Sequence, residues 1–271
     1  MTDERWTDER EIRISAEPEA VWAAWAEPDH VRRWFSDDAR GELEAGGELV
    51  HEFDGHGEHR YQVVEVDAPR RLVLEGEMDG RAFRQEVEIR SEGGSTVLRL
   101  VHSGFGSADP DSEIVQGIDS GWTMALAAMR HYVEQHFGKE KAMVSIFRPG
   151  RFDYEDLQRR YYLDGEGLSQ WLTEDDVDLR SGEPVRLTIR GGHPLSGSIL
   201  AVTDHEVSLA WEELDGLLEL KAFGSGPDAR ILGVRLITWS DDTERVAAVR
   251  ASLEEAVERL LNALPMGASS T

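Results

Sequence analysis

An internal repeat constrains the fold of this chain more than any other feature of its sequence. Residues 32–38 read RRWFSDD, and residues 169–175 read SQWLTED. When Trp171 is placed on Trp34, apolar residues upstream of both tryptophans also match without a gap. The chain has 271 residues, enough for two domains of about 100–150 residues each. The repeat therefore predicts two copies of one domain.

Segments further along the chain repeat in the same order. LEAGGELVHEF, which ends at Phe53, matches LRSGEPVRLTI after a shift of one residue, and this match places Gly182 on Gly46. FRQEVEIRSEGGSTVLRLVHSGF resembles LLELKAFGSGPDARILGVRLITW, and His102–Ser103–Gly104 correspond roughly to Ile237–Thr238–Trp239. A repeated order of elements is stronger evidence for duplication than one short match.

Each copy shows the pattern of a sheet that is followed by one long helix. In the first copy, short alternating segments are separated by Asp-Gly and Glu-Gly-Gly, which favour hairpins because glycine accepts positive φ. The segment that follows has apolar residues at helical spacing: Trp122, Ala125, Leu126, Met129 and Val133. A sheet with only one long helix must curl around it to bury its apolar face. We expect domains at residues 10–138 and 145–264.

Composition and charge exclude several classes of function. The chain has 29 basic and 54 acidic residues, a formal net charge of −25, which repels phosphate backbones and anionic membrane surfaces. We therefore expect no nucleic-acid partner and no membrane partner. No apolar run approaches the ~20 residues that span a bilayer, and the charged N-terminal segment lacks the apolar core of a secretory signal. Cysteine is absent, which excludes disulfides. A cytoplasmic location is the expectation.

Four segments of the first copy, taken in order, resemble a known superfamily. They are AVWAAWAEPDHVRRWF, APRRLVLEGE, TVLRLVHSGF and GWTMALAAMRHYV. The combination resembles the SRPBCC or START-like (Bet v 1-like) superfamily, in particular its activator of heat-shock-protein ATPase homologue-like (AHSA-type) family. The resemblance implies an α+β fold: two tandem helix-grip domains, each a curved antiparallel sheet wrapped around a long C-terminal helix, with a cavity between them. The second copy departs from the family motifs and looks like a diverged domain.

The predicted inner face of the first domain mixes apolar, aromatic and imidazole side chains. Alternation along the strands places His51 and His102 on the same faces as apolar neighbours. Such a lining suits a largely apolar ligand with a few polar groups; the alternative is that these side chains simply fill the core. The candidate ligand-binding residues are His51, Phe53, Met78, Leu100, His102, Trp122, Met129 and Tyr132.

Other candidate chemistry has simpler explanations. His56, Glu58 and His59 could be metal ligands, but a glycine-rich turn rarely holds tetrahedral geometry, so we expect no metal. Glu86 and Glu88 share their parity with neighbouring arginines, which predicts a charged solvent face. We assign no catalytic residue and expect no cofactor. The inward faces of the second domain's strands contain no titratable group, which predicts an apolar interior there.

Three functions remain open at this point. The first is binding of a small, largely apolar or aromatic molecule in the cavity of the first domain. The second is an enzyme of the cyclase or hydrolase kind that uses His102 or His51 as general acid or base, because an imidazole titrates near neutrality. The third, which only the family resemblance implies, is a chaperone-linked or stress-related module that binds another protein. Whether the protein is an enzyme is left undecided.

Overall fold

The computed structural model describes residues 6–53, 57–78, 80–104, 113–224 and 230–264, with only the backbone described for residues 113 and 114. The chain divides into two compact units. The first unit comprises Met1–Asp119 and Ala128–Glu140, and the second comprises Ser120–Ala127 and Lys141–Thr271. Each unit contains one antiparallel sheet.

The first unit contains a seven-stranded sheet. A strand and two short helices precede the meander: β1 (Trp6–Ile14), α1 (Pro18–Ala26) and α2 (Pro28–Val31). The other strands are β2 (Asp38–Gly41), β3 (Glu48–Phe53), β4 (Gly57–Asp67), β5 (Arg71–Met78), β6 (Arg81–Glu92) and β7 (Ser95–Gly104). The long helix α3 (Glu113–His131) continues into a π-helical turn, Tyr132–His136. Sheet order is β1-β7-β6-β5-β4-β3-β2.

The second unit contains a six-stranded sheet. It begins with β8 (Ala142–Gly150), α4 (Tyr154–Leu157), a π-helical turn (Gln158–Leu163) and α5 (Gly165–Trp171). The remaining elements are β9 (Pro184–Ile189), β10 (His193–Val202), β11 (Glu206–Trp211), β12 (Gly216–Phe223), β13 (Arg230–Thr238) and the long helix α6 (Thr243–Ala263). Sheet order is β8-β13-β12-β11-β10-β9.

Both sheets follow one connection rule. The first strand of each unit pairs antiparallel with the last strand, and the intervening strands form a meander. Each unit ends with its long helix. The buried stripe of α6 (Val249, Leu253, Ala256, Val257 and Leu260) belongs to the same core cluster as the inner faces of β9 to β13. The α+β fold with two tandem helix-grip domains, predicted from the sequence, is therefore confirmed.

Equivalent hydrogen bonds at the first helices of the two units agree with the gapless match of Trp34 with Trp171. The indole Nε1 of Trp34 donates to the carbonyl oxygen of Ala24 at 2.7 Å. The indole Nε1 of Trp171 donates to the carbonyl oxygen of Tyr161 at 2.8 Å. Both bonds span ten residues, so the two helical corners are built in the same way.

A turn and a β-bulge further along also recur. Gly46 N donates to Val63 O, and Gly182 N donates to Ile199 O. The pairing of β4 with β5 shifts register immediately after Val63, and the pairing of β10 with β11 shifts immediately after Ile199. A bulge is a specific local device, so its recurrence at matched positions supports duplication and confirms the placement of Gly182 on Gly46.

The late hairpins match differently from the sequence comparison. Cross-strand register places His102–Ser103–Gly104 on Leu236–Ile237–Thr238, one residue before the predicted Ile237–Thr238–Trp239. Register also places Phe83 on Gly216, where the comparison of sequences placed it on Leu217. The hairpin between β11 and β12 is shorter than the one between β5 and β6. In contrast, the paired residues Gly216 and Thr238 lie one residue further apart in the chain than Phe83 and Gly104, so a match without a gap cannot hold at both ends of these segments.

Within the described residues, no helix is long and apolar enough to cross a membrane.

Candidate functional site

Three polar side chains form a row across the inner face of the first sheet. Asp8 on β1 lies opposite His102 on β7, and His102 lies opposite Gln85 on β6. His102 is 3% exposed and Gln85 is 7% exposed. Directly opposed residues in an antiparallel pair share one face, so these residues form a continuous stripe, which we call the polar row.

A charged group adjoins the polar row at β1. Arg10 lies two residues after Asp8 and therefore on the same face. Its Nε donates to Asp8 Oδ2 at 2.6 Å, and the two side chains are each 16% exposed. The Nη2 atom of Arg10 also donates to Asp119 on α3, which links the edge strand to the long helix. The wall of the inner face is thus ionic at this edge.

Ring contacts between side chains of neighbouring strands run across the inner face of the first sheet. Moving from β1 toward β3, the successive ring centroids lie 6.2, 5.1, 5.8 and 4.9 Å apart. Two further contacts, of 6.0 and 5.2 Å, continue through Phe35. We call this set the aromatic chain: Trp6, His102, Phe83, Tyr61, His51, Phe35 and Phe53.

Gly76 makes the middle of the aromatic chain possible. Phe83 lies directly opposite Gly76 in the pairing of β5 with β6. A Cβ atom at Gly76 would lie 2.5 Å from Cζ of Phe83, so the phenylalanine ring occupies the space above the glycine and reaches toward Tyr61. In the second unit the corresponding pair is Trp211 opposite Gly216. The glycine and the large ring have exchanged strands.

The two imidazoles of the aromatic chain are neutral at physiological pH. Burial lowers the pKa of His51 to about 4, and the nearby His59 lowers it further in the same direction. Burial alone lowers the pKa of His102 to about 4. Nδ1 of His51 is buried and has no hydrogen-bond partner among the described residues. A buried nitrogen of this kind normally has a partner, which makes His51 a candidate contact for a ligand.

The second sheet has aliphatic residues where the first sheet has its polar row. The same register matches Asp8, His102 and Gln85 with three residues that pair in the same order: Val144, Leu236 and Leu218. Arg10 corresponds to Ile146. The matched row of the second unit is built from side chains of its core cluster. The helix-grip fold therefore does not require polar residues at these positions.

The sequence-predicted residues fall into three groups. His51, His102 and Phe53 belong to the aromatic chain. Leu100 and Met129 are fully buried, on β7 and α3, and Met78 is half-buried at the end of β5. That these six residues contact a ligand remains a prediction.

The other two predicted residues, Tyr132 and Trp122, lie in the π-helical turn and in α3. Tyr132 is fully buried, and its hydroxyl accepts a hydrogen bond from Gly138 N at 3.1 Å and lies 2.8 Å from His30 Nδ1. Trp122 is half-buried and lies in Ser120–Ala127, the stretch of α3 that groups with the second unit. Their assignment to ligand binding also remains a prediction.

Sequence reasoning missed several inner-face residues, which are Trp6, Asp8, Arg10, Phe35, Tyr61, Phe83 and Gln85. A usable signal was present for β1. Its burial alternates along the whole strand from Trp6 to Ile14, so extending the parity of Ile12 and Ile14 backward through a charged segment would have found Asp8 and Arg10. The predicted domain instead begins at residue 10.

The predicted solvent face of the first sheet is confirmed as a layer of ion pairs. Glu86 and Glu88 accept hydrogen bonds from Arg71 at 2.6 and 2.7 Å, and Glu86 also accepts one from Arg84. Among the described residues, no group of three or more His, Cys, Asp or Glu side chains could hold a metal ion. His56, one of the three candidate metal ligands, lies outside the described residues.

Comparison with known proteins finds a family model that matches the first unit. Residues 15–134 match the model of the family described as Activator of Hsp90 ATPase homolog 1-like protein. Among curated proteins, no match was found.

Solved structures with similar folds come from several sources. CalU16 from Micromonospora echinospora is 24% identical, with a TM-score of 0.40, over 48% of this chain and 85% of CalU16. Bacillus halodurans protein BH1534 is 25% identical, with a TM-score of 0.41, over 48% of this chain and 99% of BH1534. DynU16, from the dynemicin biosynthetic locus, is 15% identical, with a TM-score of 0.43, over 94% of this chain and 98% of DynU16.

Proposed function

We propose that the first domain binds a small, largely apolar or aromatic molecule between the inner face of its sheet and its long helix. The observation that carries this proposal is the matched comparison of the two inner faces. The two domains share one fold and can be matched by their strand register. At the matched positions the first domain has the polar row, Asp8, His102 and Gln85, and the second has the aliphatic residues Val144, Leu236 and Leu218.

The buried residues of the polar row carry a free-energy cost that aliphatic residues would avoid. A buried polar group costs free energy unless it is hydrogen-bonded, and an aliphatic group of similar size does not carry this cost. The second domain shows that aliphatic residues satisfy the fold at these positions. Polar residues that the fold does not need, set in an aromatic surface, are typical of a binding site for a mostly apolar ligand with a few polar groups.

The electrostatics favour binding over acid–base catalysis. A general base works best when its pKa lies near the operating pH. Burial lowers the pKa values of His51 and His102 to about 4, so at neutral pH both are weak bases that already lack the proton a general acid would donate. The cyclase or hydrolase hypothesis therefore has less support than ligand binding. The protein-interaction hypothesis is supported by the family description.

Native mass spectrometry of the freshly purified protein tests this proposal. We expect a reproducible additional mass that is lost when the protein is denatured, and its value begins to identify the ligand. Where no ligand co-purifies, the protein should bind added aromatic probes, with 2-naphthol and 2-methylnaphthalene as the first pair. A bare protein that also binds neither probe up to the limit of its solubility would contradict the proposal.

A further inference from the structure

His51 combines three properties that together describe what it can bind. It lies on β3 within the aromatic chain, with its ring centroid 4.9 Å from that of Tyr61 and 6.0 Å from that of Phe35. It is 8% exposed. Its Nδ1 atom lacks a hydrogen-bond partner among the residues that the structure describes. An unsatisfied buried nitrogen destabilises the folded protein, and a ligand atom that bonds to it would remove this cost.

The charge state of this site limits the chemistry of the ligand. Because His51 is neutral above a pKa of about 4, it offers no opposite charge to a carboxylate or an ammonium group. Either charged group would lose its hydration without compensation, and the net charge of −25 further disfavours anions. An uncharged polar group is therefore favoured at this position.

A hydroxyl group suits Nδ1 better than other uncharged groups. In a neutral imidazole, Nδ1 is a donor in one tautomer and an acceptor in the other. A carbonyl oxygen satisfies only the first tautomer, and an N–H group satisfies only the second. A hydroxyl both donates and accepts, so it can pair with either. The neighbouring rings of Tyr61 and Phe35 favour a planar aromatic carrier, since aromatic rings pack in offset or edge-to-face pairs.

We propose that the ligand of the first domain is an uncharged planar aromatic molecule that carries a hydroxyl group, and that His51 determines this specificity by a hydrogen bond to the hydroxyl through Nδ1. The inference rests on the proposed function and adds to it the class of ligand and the residue that recognises it.

The second domain supplies a substitution that the fold accepts. Counting from the matched turns, in which Val63 N donates to Gly47 O and Ile199 N donates to Glu183 O, His51 corresponds to Leu187. Leu187 is 3% exposed and belongs to the core cluster of its domain. His51→Leu therefore removes the hydrogen-bonding group while leaving a residue that this strand position tolerates. His51→Gln keeps an amide that can donate and accept.

The experiment compares two probes of nearly equal shape, 2-naphthol and 2-methylnaphthalene, by equilibrium dialysis against the full-length protein. An apolar pocket with no polar contact would prefer the methyl compound. We expect the wild-type protein to prefer 2-naphthol by about tenfold or more, because a site built to bond a hydroxyl rejects the analogue that lacks it. His51→Leu should abolish this preference, and His51→Gln should retain part of it. His193→Leu, which removes a histidine of the second domain, should leave it unchanged.

The outcomes separate this inference from the proposed function. Equal binding of both probes by the wild-type protein, or preference for 2-methylnaphthalene, would overturn the role of His51 and keep the aromatic binding site. A preference for 2-naphthol that survives in His51→Leu would also overturn it. If neither probe binds to the wild-type protein, this inference fails, and if the protein is also purified without a bound ligand, the proposed function fails with it.

Discussion

His51 and His102 lie in the first domain as neutral imidazoles, and this state couples its stability to pH. In an unfolded chain a histidine titrates near pH 6.5, whereas burial lowers the folded pKa of each of these residues to about 4. The unfolded state therefore binds more protons between these two values. The stabilising contribution is complete above pH 6.5 and is lost as the pH falls toward 4.

A variant at His102 isolates this effect. At pH 7, His102→Leu should fold normally. As the pH falls from 7 to 4.5, its unfolding free energy should rise relative to the wild type, by at most about 3 kcal/mol from the size of the pKa shift. Asp8 faces His102 and is retained in the variant, so the two proteins differ in one side chain only. Urea titrations monitored by hydrogen exchange in β6 and β7 report the unfolding free energy of the first domain. A difference between variant and wild type that does not change with pH would contradict the assignment of a neutral buried imidazole.

Single residues also mark the limit of prediction from sequence. Alternation correctly placed His51 and His102 on the inner face, because side-chain direction along a strand is set by parity. Parity could not predict that the glycine and the large ring change strands between the Gly76–Phe83 pair of the first domain and the Trp211–Gly216 pair of the second. It depends on cross-strand register, and the shorter hairpin in the second domain shifts that register out of a gapless alignment.

At the level of elements, the corner between α1 and α2 shows why its tryptophan recurs in both domains. In an α-helix, the carbonyl of Ala24 would accept the N–H of residue 28, but residue 28 is proline and has none. The indole of Trp34 supplies the missing donor. In the second domain, Gly165 has an N–H but donates it to Asp178, and Trp171 again supplies the donor, here to Tyr161.

Trp34→Phe tests this role. The variant keeps an aromatic ring and loses the donor, so a buried carbonyl remains unsatisfied at a cost of about 1–3 kcal/mol. Trp22→Phe is the matched control: Trp22 is buried on α1, and its indole makes no hydrogen bond to the residues that the structure describes. We expect Trp34→Phe to lower the unfolding free energy more than Trp22→Phe by that amount. Equal losses in the two variants would show that only ring volume matters at Trp34.

The order of the elements was accessible from the sequence, because turn signals and apolar periodicity mark each strand and helix locally. The start of β1 was not predicted from the sequence. Its inner face carries Asp8 and Arg10 in place of apolar residues, so the periodic signal vanishes where the polar edge of the site begins. The charged inner face of β1 thus weakened the pattern from which strands are recognised.

At the scale of the whole molecule, duplication gives the protein an internal reference. One domain has a mixed polar and aromatic inner face, and the other has an aliphatic core at the same register positions. The sequence indicated the repeat and the apolar second interior. The full contrast between the two domains needed the register, since it compares residues that face each other across strands rather than residues adjacent in the chain.

This contrast makes a reciprocal exchange the most direct test of which domain was shaped for binding. In the first domain, the combined variant Gln85→Leu with His102→Leu installs the residues of the second domain. It should keep or raise the unfolding free energy at pH 7, by up to about 2 kcal/mol, because apolar replacement of buried polar groups is neutral or stabilising. Its affinity for aromatic probes should fall, since the polar row is removed.

The reverse exchange, Leu218→Gln with Leu236→His, places two polar groups in an aliphatic core that has no partners arranged for them. It should cost the second domain about 3 kcal/mol or more, as burial of unsatisfied polar groups does. Thermal unfolding and probe binding, measured on all three proteins, give the comparison. If the first exchange instead unfolds its domain while the second is tolerated, the polar row is a structural requirement of the first domain, and the asymmetry between the domains has a folding origin rather than a functional one.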